Sequence, residues 1–124
     1  MNSRPPVVGS FRPFLPAKDF GASKRFYQHL GFKLEQEWDE DSGAVFALGT
    51  SSFILQNFYD EHFARNFMMQ LVVPNLDQWW EHIQTAKLAE TFHVAPPRAP
   101  KKQSWGHIVA YFFDPSGVLW HVTS

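Results

Sequence analysis

The chain of 124 residues contains no cysteine. This absence excludes disulfide bonds, thiolate zinc sites and cysteine-based catalysis. Net charge is also small, since 11 Lys and Arg residues balance 12 Asp and Glu residues to give −1. Without a long basic run, attraction to nucleic acid is not expected, and no apolar run approaches the roughly 20 residues that span a bilayer. We therefore expect a cytoplasmic protein with neither nucleic acid nor membrane as a partner.

Common catalytic motifs are missing as well. The sequence contains no His-Glu-x-x-His, Gly-x-Ser-x-Gly or phosphate-loop pattern. Aromatic residues, in contrast, are abundant, with 13 Phe, 5 Trp and 3 Tyr. A small domain with few helices does not easily bury so many rings. The surplus predicts an aromatic-lined cavity or an apolar dimer interface.

One strand-then-helix pattern occurs twice in the chain. An apolar run leads into Asp19, and a similar run leads into Asn75, 56 positions later. Asp and Asn are good N-caps, because their side-chain oxygens accept hydrogen bonds from the free N–H groups of a first helical turn. The amphipathic segments that follow predict helices near residues 19–30 and 75–87. This pattern indicates an internal duplication.

Each half also ends in a hairpin pattern. The first covers Phe46 to Gln56 and the second Phe112 to His121, around the turn Asp114-Pro115-Ser116-Gly117. Before the second hairpin, residues 95–104 form a stretch rich in Pro and Lys that predicts a long loop, which we interpret as a lid over the stacking surface of Trp105. A period near 60 residues in only two copies is too long for a solenoid.

These patterns predict an α+β fold made of two βαβββ modules. The modules cover about 8–60 and 66–124, within a single domain of residues 1–124. Together they are expected to form a cupped, mostly antiparallel eight-stranded sheet with the helices on the outside. Exposed strand edges and the surplus of aromatic residues predict a homodimer. The Pro-rich N-terminus, Arg4-Pro5-Pro6, is expected to serve as an arm across that interface.

The chain resembles the vicinal oxygen chelate superfamily, which includes glyoxalase I, extradiol dioxygenases, fosfomycin-resistance enzymes and bleomycin-resistance proteins. The segments that resemble the family's first strand, first helix and closing hairpin are Phe14 to Asp19, Ser23 to Tyr27, Leu30-Gly31-Phe32, Trp105-Gly106, Phe113-Asp114-Pro115 and Gly117. The hairpin is especially similar to that of bleomycin-resistance proteins, although Val118 replaces the Asn that usually follows this glycine. This fold hosts several reactions and plain binding proteins, so the resemblance alone does not give a reaction.

The resemblance also implies four positions for a metal site inside the cup. By the family's spacing they are occupied by Arg12, Gln56, Met68 and His121. Arg12 is a permanent cation with no lone pair to donate, and the Met68 thioether suits few of the metals that prefer oxygen and imidazole ligands. We therefore expect no bound divalent metal and no cofactor. A register shift of two residues would replace Met68 by Gln70, and the resulting set Gln56, Gln70 and His121 could hold a weakly bound metal.

We interpret the cup as a pocket for an organic ligand. Arg12 would bind a carboxylate or phosphate, while Gln56 and His121 would provide hydrogen bonds. The apolar walls are expected from Phe14, Phe46, Phe58, Met68 and Trp105. As an alternative, Arg12 pairs with an acidic neighbour and His121 is a hydrogen-bonded core histidine.

Two functions of different classes follow from the resemblance. The first is a metal-free protein that binds an aromatic or amphipathic, anionic compound, for resistance by sequestration. The second is a metal-dependent lyase, isomerase or dioxygenase with an atypical Gln/His ligand set. A metal-free enzyme with His121 as general base and Arg12 as oxyanion stabiliser lies between them. Whether the protein is an enzyme stays open at this point.

Overall fold

The computed structural model describes residues 4–124, and in this part of the chain eight strands form two four-stranded sheets. Residues 1–3 of the predicted domain lie outside the described residues. The first half consists of β1 (Phe14–Pro16), α1 (Phe20–Leu30), β2 (Lys33–Glu37), a 3-10 turn (Asp39–Asp41), β3 (Gly43–Leu48) and β4 (Ser51–Gln56). After α2 (Glu61–Asn66), the second half consists of β5 (Met68–Val72), α3 (Leu76–Ala86), α4 (Leu88–Phe92), β6 (Arg98–Lys102), β7 (Ile108–Phe113) and β8 (Leu119–Thr123).

The two sheets have the same topology. The strand order is β1-β4-β3-β2 in the first sheet and β5-β8-β7-β6 in the second. In each sheet the first strand runs parallel to the last, and the other pairs are antiparallel. This arrangement confirms the predicted pair of βαβββ modules and the mostly antiparallel pairing.

Both predicted helix starts are confirmed by their N-caps. The Asp19 Oδ1 atom accepts a hydrogen bond from the Ala22 N–H, and the Asn75 Oδ1 atom accepts one from the Gln78 N–H, each at 3.0 Å. Helix α1 ends at Gly31, whose φ of 106° lies in the left-handed region that favours glycine. Over residues 4–124, no helix is both long enough and apolar enough to cross a membrane.

The prediction of a loop over residues 95–104 is wrong, because this segment contains strand β6. Proline and lysine residues gave this segment the composition of a loop. It pairs instead with β7 at the edge of the second sheet, with an irregularity between Arg98 and Lys101. An edge strand tolerates Pro100, since one of its sides has no partner strand that needs the missing N–H.

One hydrophobic core lies between the helices and the sheets, and residues of both halves contribute to it. We call the sheet surface that faces the helices the helix-side face and the opposite surface the open face. Side chains alternate between the two faces along a strand. The helix-side residues of the inner strands include Phe46, Phe53, Leu55, Ala110, Phe112, Trp120 and Val122.

A buried hydrogen-bonded cluster joins the two halves inside this core. The Tyr27 hydroxyl donates to Asp114 Oδ2 at 2.7 Å, and the Trp120 indole N–H donates to the Tyr27 oxygen at 3.1 Å. The Asp114 Oδ1 atom accepts from the backbone N–H groups of Ser116 and Val118, each at 2.9 Å. Asp114 therefore shapes the predicted β7–β8 turn and joins it to α1, while Tyr27 links α1 to β8.

Candidate ligand-binding site

Four polar side chains form one row across the open face of the second sheet. Gln70 on β5 lies opposite His121 on β8, His121 lies opposite Tyr111 on β7, and Tyr111 lies opposite Arg98 on β6. Directly opposite residues project to the same face of a sheet. Residues on either side of them in these strands, such as Met69, Ala110 and Trp120, face the core. We call these four residues the polar row.

The rings of the polar row are in contact with one another and with apolar neighbours. The His121 and Tyr111 rings meet edge to face, with their centroids 4.9 Å apart. The Arg98 guanidinium lies 6.0 Å from the centroid of the Phe113 ring, a cation–π contact. Phe113 belongs to a neighbouring apolar row with Leu119 and Met68. This face thus combines hydrogen-bonding groups with an apolar surface, as small-molecule sites do.

The open face of the first sheet carries Gln56 and an aromatic residue that the sequence interpretation missed. Gln56 lies opposite Gly43 on β3. The Trp38 ring packs over Gly43, where an added Cβ would overlap the ring. Trp38 remains 37% exposed, so it is accessible beside Gln56. Trp38 follows Gln36 by two residues, and this spacing places both side chains on the same face of the sheet. The spacing could have identified Trp38, but the acidic residues around it favoured an exposed hairpin instead.

Arg12 lies just before β1 and is exposed. Its Nε–H donates to the Ser52 hydroxyl oxygen at 2.9 Å. Among residues 4–124 it forms no ion pair, so the alternative of an acidic partner within the chain is not observed there. Ser52 lines a cleft of about 390 Å³ between the two sheets, whose apolar walls include Phe53, Leu71 and Trp120. Arg12 therefore stands at the rim of this cleft.

Phe46 does not form a pocket wall, so the prediction that it does is wrong. Its side chain is fully buried, and its ring contacts Tyr27 and Phe53 in the core. The reason is the two-residue alternation of β3, in which Gly43 and Val45 occupy the face that carries Gln56, whereas Phe46 points to the helices.

The other predicted walls are exposed but dispersed over the chain. Phe14 is on β1, Met68 is on β5, Phe58 follows β4 and Trp105 lies between β6 and β7, and each is about half exposed. Gln56 belongs to the first sheet, beside which Arg12 lies just before β1, while Met68 and His121 belong to the second sheet. None of the eight predicted residues lines the 390 Å³ cleft. The roles in ligand binding of the seven residues other than Phe46 stay predictions.

The donor set of this chain does not fit a catalytic metal centre. Among residues 4–124, no group of three or more His, Asp or Glu side chains converges on one point. Gln70 and His121 are neighbours on adjacent strands, but Gln56, the third member of the alternative set, lies on the other sheet. A catalytic metal site usually has at least three protein ligands. Of the alternative set, one chain brings only the His121 imidazole and the Gln70 amide together, which is one ligand too few.

Comparison with known proteins places this geometry in a family. The model of the Glyoxalase/Bleomycin resistance protein/Dioxygenase superfamily matches residues 8–122. The chain belongs to this superfamily. A bleomycin resistance protein from Klebsiella pneumoniae is 29% identical over 111 residues, which cover 86% of this chain and 85% of that protein.

Solved structures of bleomycin-binding proteins share the fold. A bleomycin-binding protein in complex with bleomycin superposes with a TM-score of 0.78 at 24% identity, over 94% of this chain and 98% of that one. The bleomycin-binding protein from the producer Streptomyces verticillus, in complex with copper(II)-bleomycin, gives 0.74 at 20% identity, over 95% and 98%. At these identities, the likeness establishes the α+β fold and leaves the ligand of this chain to be inferred from its own residues.

Proposed function

We propose that this superfamily member is a metal-free binding protein for small organic molecules, which confers resistance to a toxic compound by sequestering it. The observation that supports the proposal is the polar row beside the apolar row on the open face of the second sheet. Hydrogen-bonding groups set among aromatic surfaces suit an aromatic or amphipathic ligand. The bleomycin resistance protein of Klebsiella pneumoniae, similar over most of its length, supports the same class of function.

We further propose that two copies of the chain complete the site. The edge strands β1 and β5 expose Phe14, Met68 and Val72. Unpaired strand edges with apolar side chains usually need cover. The segment before β1, which has no regular secondary structure, exposes Val7 and Phe11 almost completely, which supports its role as an arm that packs on a partner chain.

Titration with bleomycin and with copper(II)-bleomycin tests the proposed function. Binding is expected to change the fluorescence of the exposed residues Trp38 and Trp105 and to give a saturable heat signal in calorimetry. Expression of the protein in a bleomycin-sensitive bacterium is expected to raise the inhibitory concentration. Absence of both binding and protection would exclude bleomycin as the ligand. Turnover of a ligand, or stoichiometric metal coordinated by His121 in protein purified without chelator, would contradict the metal-free binder.

A further inference from the structure

The two sheets differ strongly in their charged residues. The four strands of the second sheet contain no Asp or Glu, whereas they contain Arg98, Lys101 and Lys102. The first sheet carries Glu35 and Glu37 on β2. An anion near the second sheet therefore meets cations and no strand carboxylate.

The strand register directs two of these cations to the open face. Arg98 lies opposite Tyr111, and Lys101 lies opposite Val109. Tyr111 and Val109 are two residues apart on β7 and share the open face, so the irregularity in β6 keeps Arg98 and Lys101 together on it. Among residues 4–124, neither cation forms an ion pair with a carboxylate.

Arg98 is better placed than Arg12 to bind an anion beside the polar row. The Arg12 Nε–H already donates to the Ser52 hydroxyl oxygen, and Arg12 lies just before β1, a strand of the sheet that carries the β2 carboxylates. The Arg98 side chain is held by the Phe113 ring, and no hydrogen-bond acceptor occupies its N–H groups in the described part of the chain. A guanidinium binds a carboxylate or phosphate through two parallel hydrogen bonds.

We propose, on the basis of the binding function above, that the polar row selects an aromatic anion whose charged end binds Arg98. The aromatic body lies along Phe113 and Tyr111, and His121 and Gln70 provide hydrogen bonds to polar groups further along. Three gaps between strands make the row about 14 Å long, so it suits an extended ligand. Arg98 is then the specificity-determining residue for ligand charge, and Lys101 adds to the field beside it.

A matched pair of probes tests this proposal in the full-length protein. 2-Naphthoate and 2-naphthamide have the same shape and differ in charge. Dissociation constants are measured by NMR titration for the wild type and for the variants Arg98→Gln, Arg12→Gln and Arg25→Gln. Arg25 is exposed on α1, away from the open face, and serves as the control. Thermal unfolding of each variant checks that it is folded.

We expect the wild type to bind naphthoate about tenfold more tightly than naphthamide, because hydrogen bonds to a charged group are stronger than neutral ones. Arg98→Gln is expected to abolish this difference, while Arg12→Gln and Arg25→Gln retain it. Equal binding of both probes by the wild type, or loss of the difference in Arg12→Gln instead, would overturn the role of Arg98 while ligand binding itself stands. Absence of binding by either probe would count against both this inference and the proposed aromatic-binding function.

Discussion

Asp114 is a carboxylate enclosed by the core at the turn between β7 and β8, where it is 2% exposed. Burial raises its pKa from the ordinary 3.8 to about 6, while the hydrogen bonds from Tyr27 and from backbone N–H groups oppose this rise. Burial and the nearby carboxylate also raise the pKa of Tyr27, so its hydroxyl stays protonated and donates. The charged form of Asp114 is thus tolerated because each oxygen has a donor.

The raised pKa of Asp114 predicts that this residue contributes to the free energy of unfolding at low pH and that the contribution is lost as the pH rises. Between about pH 4 and pH 6, the folded protein keeps a proton on Asp114 that the unfolded chain has released. The contribution of this group to the free energy of unfolding therefore falls by about 3 kcal/mol across this interval and is constant above it.

Urea unfolding at pH 4 to 8 checks this prediction through the difference between the wild type and Asp114→Asn. That difference should change with pH between 4 and 6, because the variant has no group to titrate at this position. Gln28→Asn, at an exposed position on α1, is the control, because it changes no titratable group. A constant difference between the wild type and Asp114→Asn would contradict the buried carboxylate as its source.

At the scale of the elements, the duplicated N-caps provide a matched pair of sites. Asp19 and Asn75 make the same hydrogen bond at the start of equivalent helices. Replacement of either residue by Ala leaves a backbone N–H of the first turn without its acceptor. Each substitution is expected to lower the free energy of unfolding by about 1 kcal/mol.

Chemical denaturation of Asp19→Ala, Asn75→Ala and the conservative variant Asn75→Asp checks the caps. The Asp variant keeps an acceptor oxygen, so its stability should lie close to that of the wild type. A loss of stability in Asn75→Asp as large as in Asn75→Ala would show that the cap hydrogen bond is not what residue 75 contributes.

The same elements show what the sequence could predict about the fold. The helix starts and the β7–β8 turn were predictable, because caps and turn residues act through local hydrogen bonds. Strand β6 was not, since its Pro and Lys composition favours a loop and it pairs on one side only, with β7, at the edge of the sheet. Phe46 was wrongly predicted as a pocket wall, because the register between β3 and β4 decides which face of the sheet its side chain occupies.

The candidate site was less predictable than the fold for a related reason. Both His121 and Gln70 could be proposed from family spacing, but their alignment with Tyr111 and Arg98 exists only across four strands. The irregularity in β6 decides which lysines and arginines reach the open face. No pattern within β6 itself reveals that shift.

At the scale of the whole molecule, the exposed apolar segments predict a homodimer. Light scattering at micromolar concentration should give twice the 14.4 kDa mass of one chain. The double variant Val7→Glu/Phe11→Glu places charges on two almost fully exposed residues of the N-terminal segment, and it should shift the protein toward the monomer, because we propose that these residues pack on the partner chain.

Gln28→Glu adds a negative charge at an exposed position of α1 and serves as the control, with an unchanged mass. A wild-type mass near 14.4 kDa would refute the dimer. A dimer that persists in the double variant would show that the association does not depend on the N-terminal arm.

The interior positions of β4 and β8 have a consequence for folding kinetics. Each is the last strand of its module along the chain, yet each lies between the first strand and the hairpin partner. Strands β1 and β5 cannot enter their sheets until these late strands are in place. Pairing of β1 with β4, and of β5 with β8, therefore joins parts of the chain that are distant in sequence, and it costs the conformational entropy of the intervening loop. Topologies dominated by such nonlocal pairing fold in roughly milliseconds to seconds, so each module should gain its sheet in one slow, concerted step.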